Sequence, residues 1–246
     1  MKIAVAGGTG VAGRFVVDVV KARGHTPVVM SRGRGVDLVS GAGLDAALAG
    51  VEAVVDVANL ATSRKAAAVE FFDKAGRNLV AAAGRAGVRH LVTLSIVGID
   101  RVRFGYYAGK LRQEEIVQGG AVPWTILRAT QFHEFAGQLL DRVPGPIALV
   151  PTGRVQPVAV REVAEALVDA ALGAPQGMAP ELAGPRVESL VGMARSLIAA
   201  GGARRRPVLP VYLPGGMSSG GLLPTGAGPR GTQTFADWLK EQTTPA

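Results

Sequence analysis

The chain contains no cysteine, which removes disulfides, thiolate nucleophiles and thiolate metal ligands and suits a reducing cytoplasm. Its three histidines, His25, His90 and His133, are scattered and form no metal-ligand spacing. Aromatic residues make up 5% of the chain and do not interleave with the basic ones, so the stacking platform of a single-strand nucleic-acid binder is missing. No apolar run approaches the roughly 18 residues of a membrane span. Met1 leads at once into strand-like "KIAVAG", leaving no room for a signal peptide. Acids are scarce as well, 19 against 27 lysines and arginines, for a formal net charge of +8. Only "ARRRP", Arg204 to Arg206, clusters that charge. The excess therefore reads as a solvated arginine-rich surface whose field favours phosphate-bearing small molecules, with neither nucleic acid nor membrane as partner.

What the chain has is apolar content, 48% of 246 residues, enough for a sizeable core. β-Branched runs alternate with helical patterns. "KIAVAG" reads as a strand and Val11 to Arg23 as a helix with Phe15, Val16, Val19 and Val20 on one face. "HTPVVMS" is a second strand, "GVDL" a short third, Leu44 to Ala49 a brief helix, and "EAVVDVAN" a fourth strand buried on both faces. A long helix over Lys65 to Ala86, the strand "RHLVTLS", another helix and the strand "WTILRA" follow. This alternation predicts an α/β fold with a doubly wound parallel sheet. After about residue 142 the pattern weakens: a turn-rich "PGPIALVPTG", helices in "VAVREVAEALVDAAL" and "RVESLVGMARSLIAA", and a Gly/Pro-rich surface loop. One domain is expected, residues 1–246, with those from about 143 forming a small substrate-side lobe.

The segment "AVAGGTGVAGRFVVDVV" carries the most chemistry. Gly7, Gly10 and Gly13, with Gly8 in the same window, follow a strand and open a helix. Glycine allows the tight turn, lets bare backbone approach a pyrophosphate and packs the helix close, while the helix N-terminus offers unpaired N–H groups to the anion. Gly7, Thr9, Gly10 and Val11 are accordingly the expected dinucleotide contacts. At the end of the second strand a carboxylate would grip a ribose 2′-hydroxyl. Here stand Ser31, Arg32 and Arg34, which suit a 2′-phosphate, so NADP(H) is expected ahead of NAD(H). Asp37 could accept from the adenine amino group, and Ala58 and Asn59, ending the fourth strand, would line the nucleotide.

"GYYAGKLRQEE" places Tyr106 four residues before Lys110, on a shared helix face. Ligands of such sheets lie beyond the strand carboxyl ends, where this helix begins and where Ser95 ends its strand. An ammonium beside a phenol favours the phenolate, which suits a proton donor to a carbonyl oxygen. Tyr106 is thus the expected acid, Lys110 its tuner and ribose ligand, and Ser95 the residue orienting the oxygen. Tyr107, also on that face, is the rival donor or else pocket wall.

"GGTGVAG", "LSIVG", "YYAGK", "PWTILRATQFHEF" and the closing "GTQTFADWL" together resemble the atypical short-chain dehydrogenase/reductases of the NmrA-like, NAD(P)H-binding kind, over essentially the whole chain. That resemblance implies a Rossmann-type fold, NADP(H) binding and reduction of quinones, dyes or aromatic carbonyls. Some such relatives bind dinucleotide without catalysis, as redox sensors, and typically lack the tyrosine that this chain keeps. "RATQFHEF" should wrap the nicotinamide end, making Thr130, Gln131, Phe132 and His133 candidates for cofactor and substrate contacts, and Met217 to Leu223 a lid over a flat, apolar substrate. The expected function is NADPH-dependent hydride transfer to a quinone or aromatic, polyketide-like carbonyl. The alternatives are a non-catalytic NADP(H)-binding sensor and a tailoring enzyme in aromatic hydroxylation. A cytoplasmic protein, and a homodimer through the helix carrying Tyr106 and the long one before it, fit the same picture.

Overall fold

The computed structural model describes residues 1–243. The chain forms two compact units. The first takes residues 1–95, 104–128 and 160–179; the second takes 96–103, 129–159 and the chain from Pro180 on. The second unit thus takes in a short early stretch, 96–103, besides the later chain, and the helix over "VREVAEALVDAAL" belongs to the first.

The first unit is built on a six-stranded sheet. Its strands are β1 (Lys2–Ala6), β2 (Thr26–Met30), β3 (Ala53–Asp56), β4 (His90–Ile96), β5 (Trp124–Ala129) and, after two strands described below, β8 (Gly177–Met178). They lie in the order β2-β1-β3-β4-β5-β8, as a parallel sheet of Rossmann type. Ile3 to Ala6 and Ala53 to Val55 are fully buried, which is why these strands read as unbroken apolar runs. Helices α1 (Val11–Ala22) and α6 (Val160–Leu172) pack together; α2 (Leu44–Leu48) and α4 (Gly105–Gln118) pack against α3 (Lys65–Arg85). One core cluster lies beneath α2, α3 and α4 and includes Met30, Leu44, Leu48, Val54, Leu79, Leu91 and Ile126.

Two glycines shape the packing of these helices. α1 stops where Gly24 takes a left-handed φ of 74° and its N–H bonds Lys21 O, a glycine cap. α4 lies unusually close to α3 because Gly109 has no Cβ: one built there would stand 2.7 Å from the Ala68 backbone. That approach fixes the height of Tyr106 and Lys110 over β3 and β4.

"GVDL" does not form a strand. Gly35 turns left-handed (φ 76°) to close a 3-10 turn over Arg32–Arg34. Asp37 Oδ1 takes the Val39 N–H, and Asp37 N–H goes to Ala42 O. Side-chain-to-backbone bonds have outcompeted a ladder; Val36 enters the core and Leu38, partly buried, packs against it.

The second unit holds α5 (Phe135–Arg142), β6 (Ala148–Pro151) paired in parallel with β10 (Val208–Val211), β7 (Arg154–Val155) paired antiparallel with β9 (Glu188–Ser189), α7 (Leu190–Ala199) and α8 (Phe235–Thr243). The Gly/Pro-rich segment is packed in place: Met217 and Leu222 are buried, and a Cβ on Gly216 would lie 2.3 Å from Arg101 O. These two side chains anchor the segment to this unit, while Ser219 between them is exposed. Among the described residues no helix is long and apolar enough to cross a membrane.

Candidate functional site: a dinucleotide cradle and a tyrosine beside it

The glycine loop joins β1 to α1. Gly7 has φ 75°, and a Cβ there would meet Ala58 Cα at 2.8 Å; one on Gly13 would overlap Gly7 O at 2.1 Å. Gly7 and Gly13 therefore allow the strand end, the loop and the helix to interlock. Thr9, Gly10 and Val11 face solvent. Gly10 N–H folds back on Gly7 O, and the first bond of α1 runs from Arg14 N–H to Gly10 O. The helix has no capping side chain and no acid in its first turn, so the N–H groups of that turn keep no partner within the helix. Positive dipole, bare amides and a cradle that a Cβ would fill all suit a diphosphate.

Beyond β2, Ser31 precedes the exposed pair Arg32 and Arg34. Ser31 Oγ is buried with no hydrogen-bond partner, and no acid occupies the strand end. Asp37 is half-buried, with Oδ1 on Val39 N–H.

The other wall is the end of β3. Asp56, 3% exposed, accepts the Ala58 N–H through Oδ1 at 3.0 Å, turning the chain so that Ala58 backs Gly7 and Asn59 reaches solvent. The Tyr106 hydroxyl donates to Asn59 Oδ1 at 2.7 Å. Tyr106 is half-buried and meets Phe72 edge-on, ring centres 5.8 Å apart. A continuous line thus runs from cradle to Ala58 to Asn59 to the tyrosine hydroxyl.

Lys110 and Ser95 stand differently from expectation. Lys110 is 4% exposed, with Nζ donating to Leu94 O at 2.7 Å and to Gln113 Oε1, and lying 4.9 Å from the centre of the Phe72 ring. Gln113 Nε2 passes the connection to Asp56 Oδ2 at 2.7 Å. The ammonium is turned inward to brace β3 and β4, where the sequence reading had set it against a ribose. Burial lowers its pKa to about 8, with the Asp56 and Glu114 carboxylates acting against that, and burial raises the pKa of Asp56. Ser95, 1% exposed, donates to Glu114 Oε1 at 2.5 Å, and Arg128 grips both Glu114 oxygens at 2.9 and 2.7 Å. Glu114 lies two helical turns beyond Tyr106, about 12 Å along the axis. Ser95 therefore serves the Glu114–Arg128 pair and is not presented to a carbonyl beside Tyr106.

Tyr107 is buried, 5% exposed, edge-on to Phe104 at 5.5 Å, an interior residue more than a pocket wall. In the second unit Thr130 is buried, with Oγ1 on Gln156 O at 2.6 Å. Gln131 is 6% exposed, Phe132 is half-buried, and His133 is fully buried against Phe235 and Trp238 with Nε2 3.2 Å from Gln233 O.

Asp56, Gln113, Glu114 and Arg128 were missed by sequence reasoning. A signal was present: Asp56 is the one charge inside "AVVDVA", and Gln113 and Glu114 sit three and four residues beyond Lys110, on its helix face. A charge in a doubly buried strand requires partners.

Comparison with known proteins bears on the fold and the family. A curated relative from Streptomyces griseus, (4-alkanoyl-5-oxo-2,5-dihydrofuran-3-yl)methyl phosphate reductase, is 32% identical over 157 residues, 58% of this chain and 51% of the relative; the match thus spans about half the length of that protein. Among solved structures, Thermus thermophilus UDP-glucose 4-epimerase with NAD superposes with a TM-score of 0.69 at 20% identity, covering 100% of this chain and 94% of the other. A short-chain dehydrogenase/reductase superfamily protein from Agrobacterium tumefaciens with bound NAD gives 0.70 at 20% identity, covering 99% and 96%; at such identity these two speak for the fold alone. The family described as NAD(P)H-binding matches residues 7–172, from the first cradle glycine to the end of α6, and the chain belongs to that family.

Proposed function

We propose that the protein is an NADPH-dependent reductase of a conjugated carbonyl, a quinone or an acyl furanone of the kind named for the Streptomyces relative. The observation that carries this reading is the unbroken line from the glycine cradle through Ala58 and Asn59 to the Tyr106 hydroxyl. A reduced nicotinamide, when bound, supplies hydride. The cradle amides hold the diphosphate. Ser31 and Arg32 read the 2′-phosphate, the buried Ser31 hydroxyl finding there the partner it lacks in the fold. Tyr106 gives its hydroxyl proton to the substrate oxygen, leaving Asn59, which orients it until then. Lys110 acts from inside: a buried cation one turn away, sharing Phe72 with the tyrosine, favours the phenolate left behind.

Tyr106→Phe tests the assignment. Turnover of methylnaphthoquinone or an acyl furanone phosphate should fall at least about 100-fold, with NADPH affinity by fluorescence titration unchanged. Retained turnover removes Tyr106 from the chemistry.

The inward commitment of Lys110 and Ser95 favours one second reading, an NADP(H)-binding regulator without turnover. Wild-type protein that binds NADPH yet reduces no quinone or furanone would favour it.

A further inference from the structure

Gln113 stands three residues beyond Lys110 on the same face of α4 and is 2% exposed. Its carboxamide lies between two opposite charges. Oε1 accepts from Lys110 Nζ, and Nε2 donates to Asp56 Oδ2 at 2.7 Å. An amide does this without a charge of its own, because it carries an acceptor and a donor at the end of one side chain. A carboxylate here would face Asp56, an ammonium would face Lys110, and a methionine would serve neither.

A buried cation and a buried anion are each costly unless paired, so with nothing between them the two would close on each other. The amide holds them apart. Asp56 keeps its other oxygen on Ala58 N–H at 3.0 Å, and Lys110 Nζ stays on Leu94 O, 4.9 Å from the centre of the Phe72 ring. Both routes out of Gln113 end at the same residue. Through Asp56, the turn at Ala58 brings Asn59 onto the Tyr106 hydroxyl at 2.7 Å. Through Lys110, the cation meets the Phe72 ring that Tyr106 also touches, ring centres 5.8 Å apart. Other ionisable groups on the packed elements have other partners or face solvent. Glu114 is held by Ser95 and Arg128, His90 of β4 bonds Thr125, and Tyr107 packs on Phe104. On α3, Glu70 and Asp73 pair at the surface with Lys74 and with Arg77 and Arg112, and Lys65, beside Gly105, is exposed.

We propose that Gln113 is a positioning residue for Tyr106: its amide keeps the Lys110 charge beside the tyrosine and away from Asp56, and so sets how readily the phenol gives up its proton. This rests on the reading of Tyr106 as the acid for its use in turnover, though not for the effect on the phenol.

Tyr106 is titrated by ultraviolet difference absorbance against Tyr106→Phe, in ligand-free wild type, Gln113→Met, Gln113→Asn and Lys110→Met. Gln113→Asn keeps the amide but is one methylene too short to span both partners. With the spacer gone, Lys110 either closes on Asp56 or loses an acceptor for its proton, and both withdraw positive charge from the phenol. The Tyr106 phenol should therefore titrate about one pH unit higher in either Gln113 variant than in wild type. Adding Gln113→Met to Lys110→Met should move it no further. An unmoved phenol overturns the proposal. So does an equal shift in the Lys110→Met background, which would make Gln113 a structural support acting without the lysine. Gln113→Asn carries the same test should Gln113→Met not fold. Where wild type reduces methylnaphthoquinone, the alkaline limb of kcat should rise with the phenol. A limb that stays takes Tyr106 out of the chemistry and leaves its tuning by Gln113 intact. If wild type reduces neither quinone nor furanone, the reductase reading fails by itself, and the titration, which needs no substrate, still decides the role of Gln113.

Discussion

Lys110 is the residue whose chemistry the fold changes most. Four residues after Tyr106 in the sequence, it reads as a ligand for cofactor, yet its ammonium is buried on Leu94 O and Gln113. The exchange of hydration for two hydrogen bonds, a ring face and a nearby carboxylate is incomplete, so burial holds its pKa near 8, below the ordinary 10.5. Between those values the unfolded chain binds a proton that the native lysine has shed. Native stability therefore rises with pH from about 8 to about 10.5 and loses that increment as pH falls through 8. Urea-denaturation midpoints of wild type and Lys110→Met at pH 7 and pH 10 should show the difference growing in favour of wild type at the higher pH. A constant difference would mean that Lys110 is not held below its ordinary pKa. Lys110 was legible as a residue of interest and illegible in its role. Whether an i, i+4 neighbour of a tyrosine turns outward or inward depends on Asp56, more than fifty positions earlier in the chain.

At the scale of elements, the β1–loop–α1 unit is where sequence and structure coincide, because its demands are local. Gly13→Ala places a methyl group 2.1 Å from Gly7 O and should cost about 3 kcal/mol, together with most NADPH affinity. Gly33→Ala, in the 3-10 turn with nothing within 4 Å and no left-handed φ, should be neutral or stabilising by about 0.5 kcal/mol. Urea titration of both variants checks the contrast, and equal costs would show that the loop is not interlocked. The failed strand "GVDL" marks the opposite limit. Alternation of apolar and polar residues over four positions says nothing about whether a neighbouring edge is available, and Asp37 settles the matter through its own turn. The short strands β7 to β10 escaped the sequence reading for the same reason: at two to four residues, pairing makes them strands, and pattern does not.

For the molecule as a whole, the cofactor reading makes a thermodynamic demand. A ligand that binds only the native state at about 100 times its dissociation constant stabilises by about 2.7 kcal/mol. NADPH should therefore raise the melting temperature by several degrees, more than NADH at the same concentration, and Arg32→Ala should narrow that gap. Equal shifts with both nucleotides would remove the preference for NADP(H). The +8 net charge assists any phosphate-bearing ligand, so the NADPH shift should weaken with salt.

The amino-acid sequence by itself determined the parallel α/β layering, the glycine cradle and the family, because strand burial, helix periodicity and tight turns are properties of neighbouring residues. Only the tertiary structure decided that Ser95 serves Glu114 and Arg128, that Lys110 faces inward, and that Gln131 is the buried amide without a partner. Hydrogen bonding in the interior is settled between residues far apart in the chain, and no local pattern records which polar group will be matched and which left over.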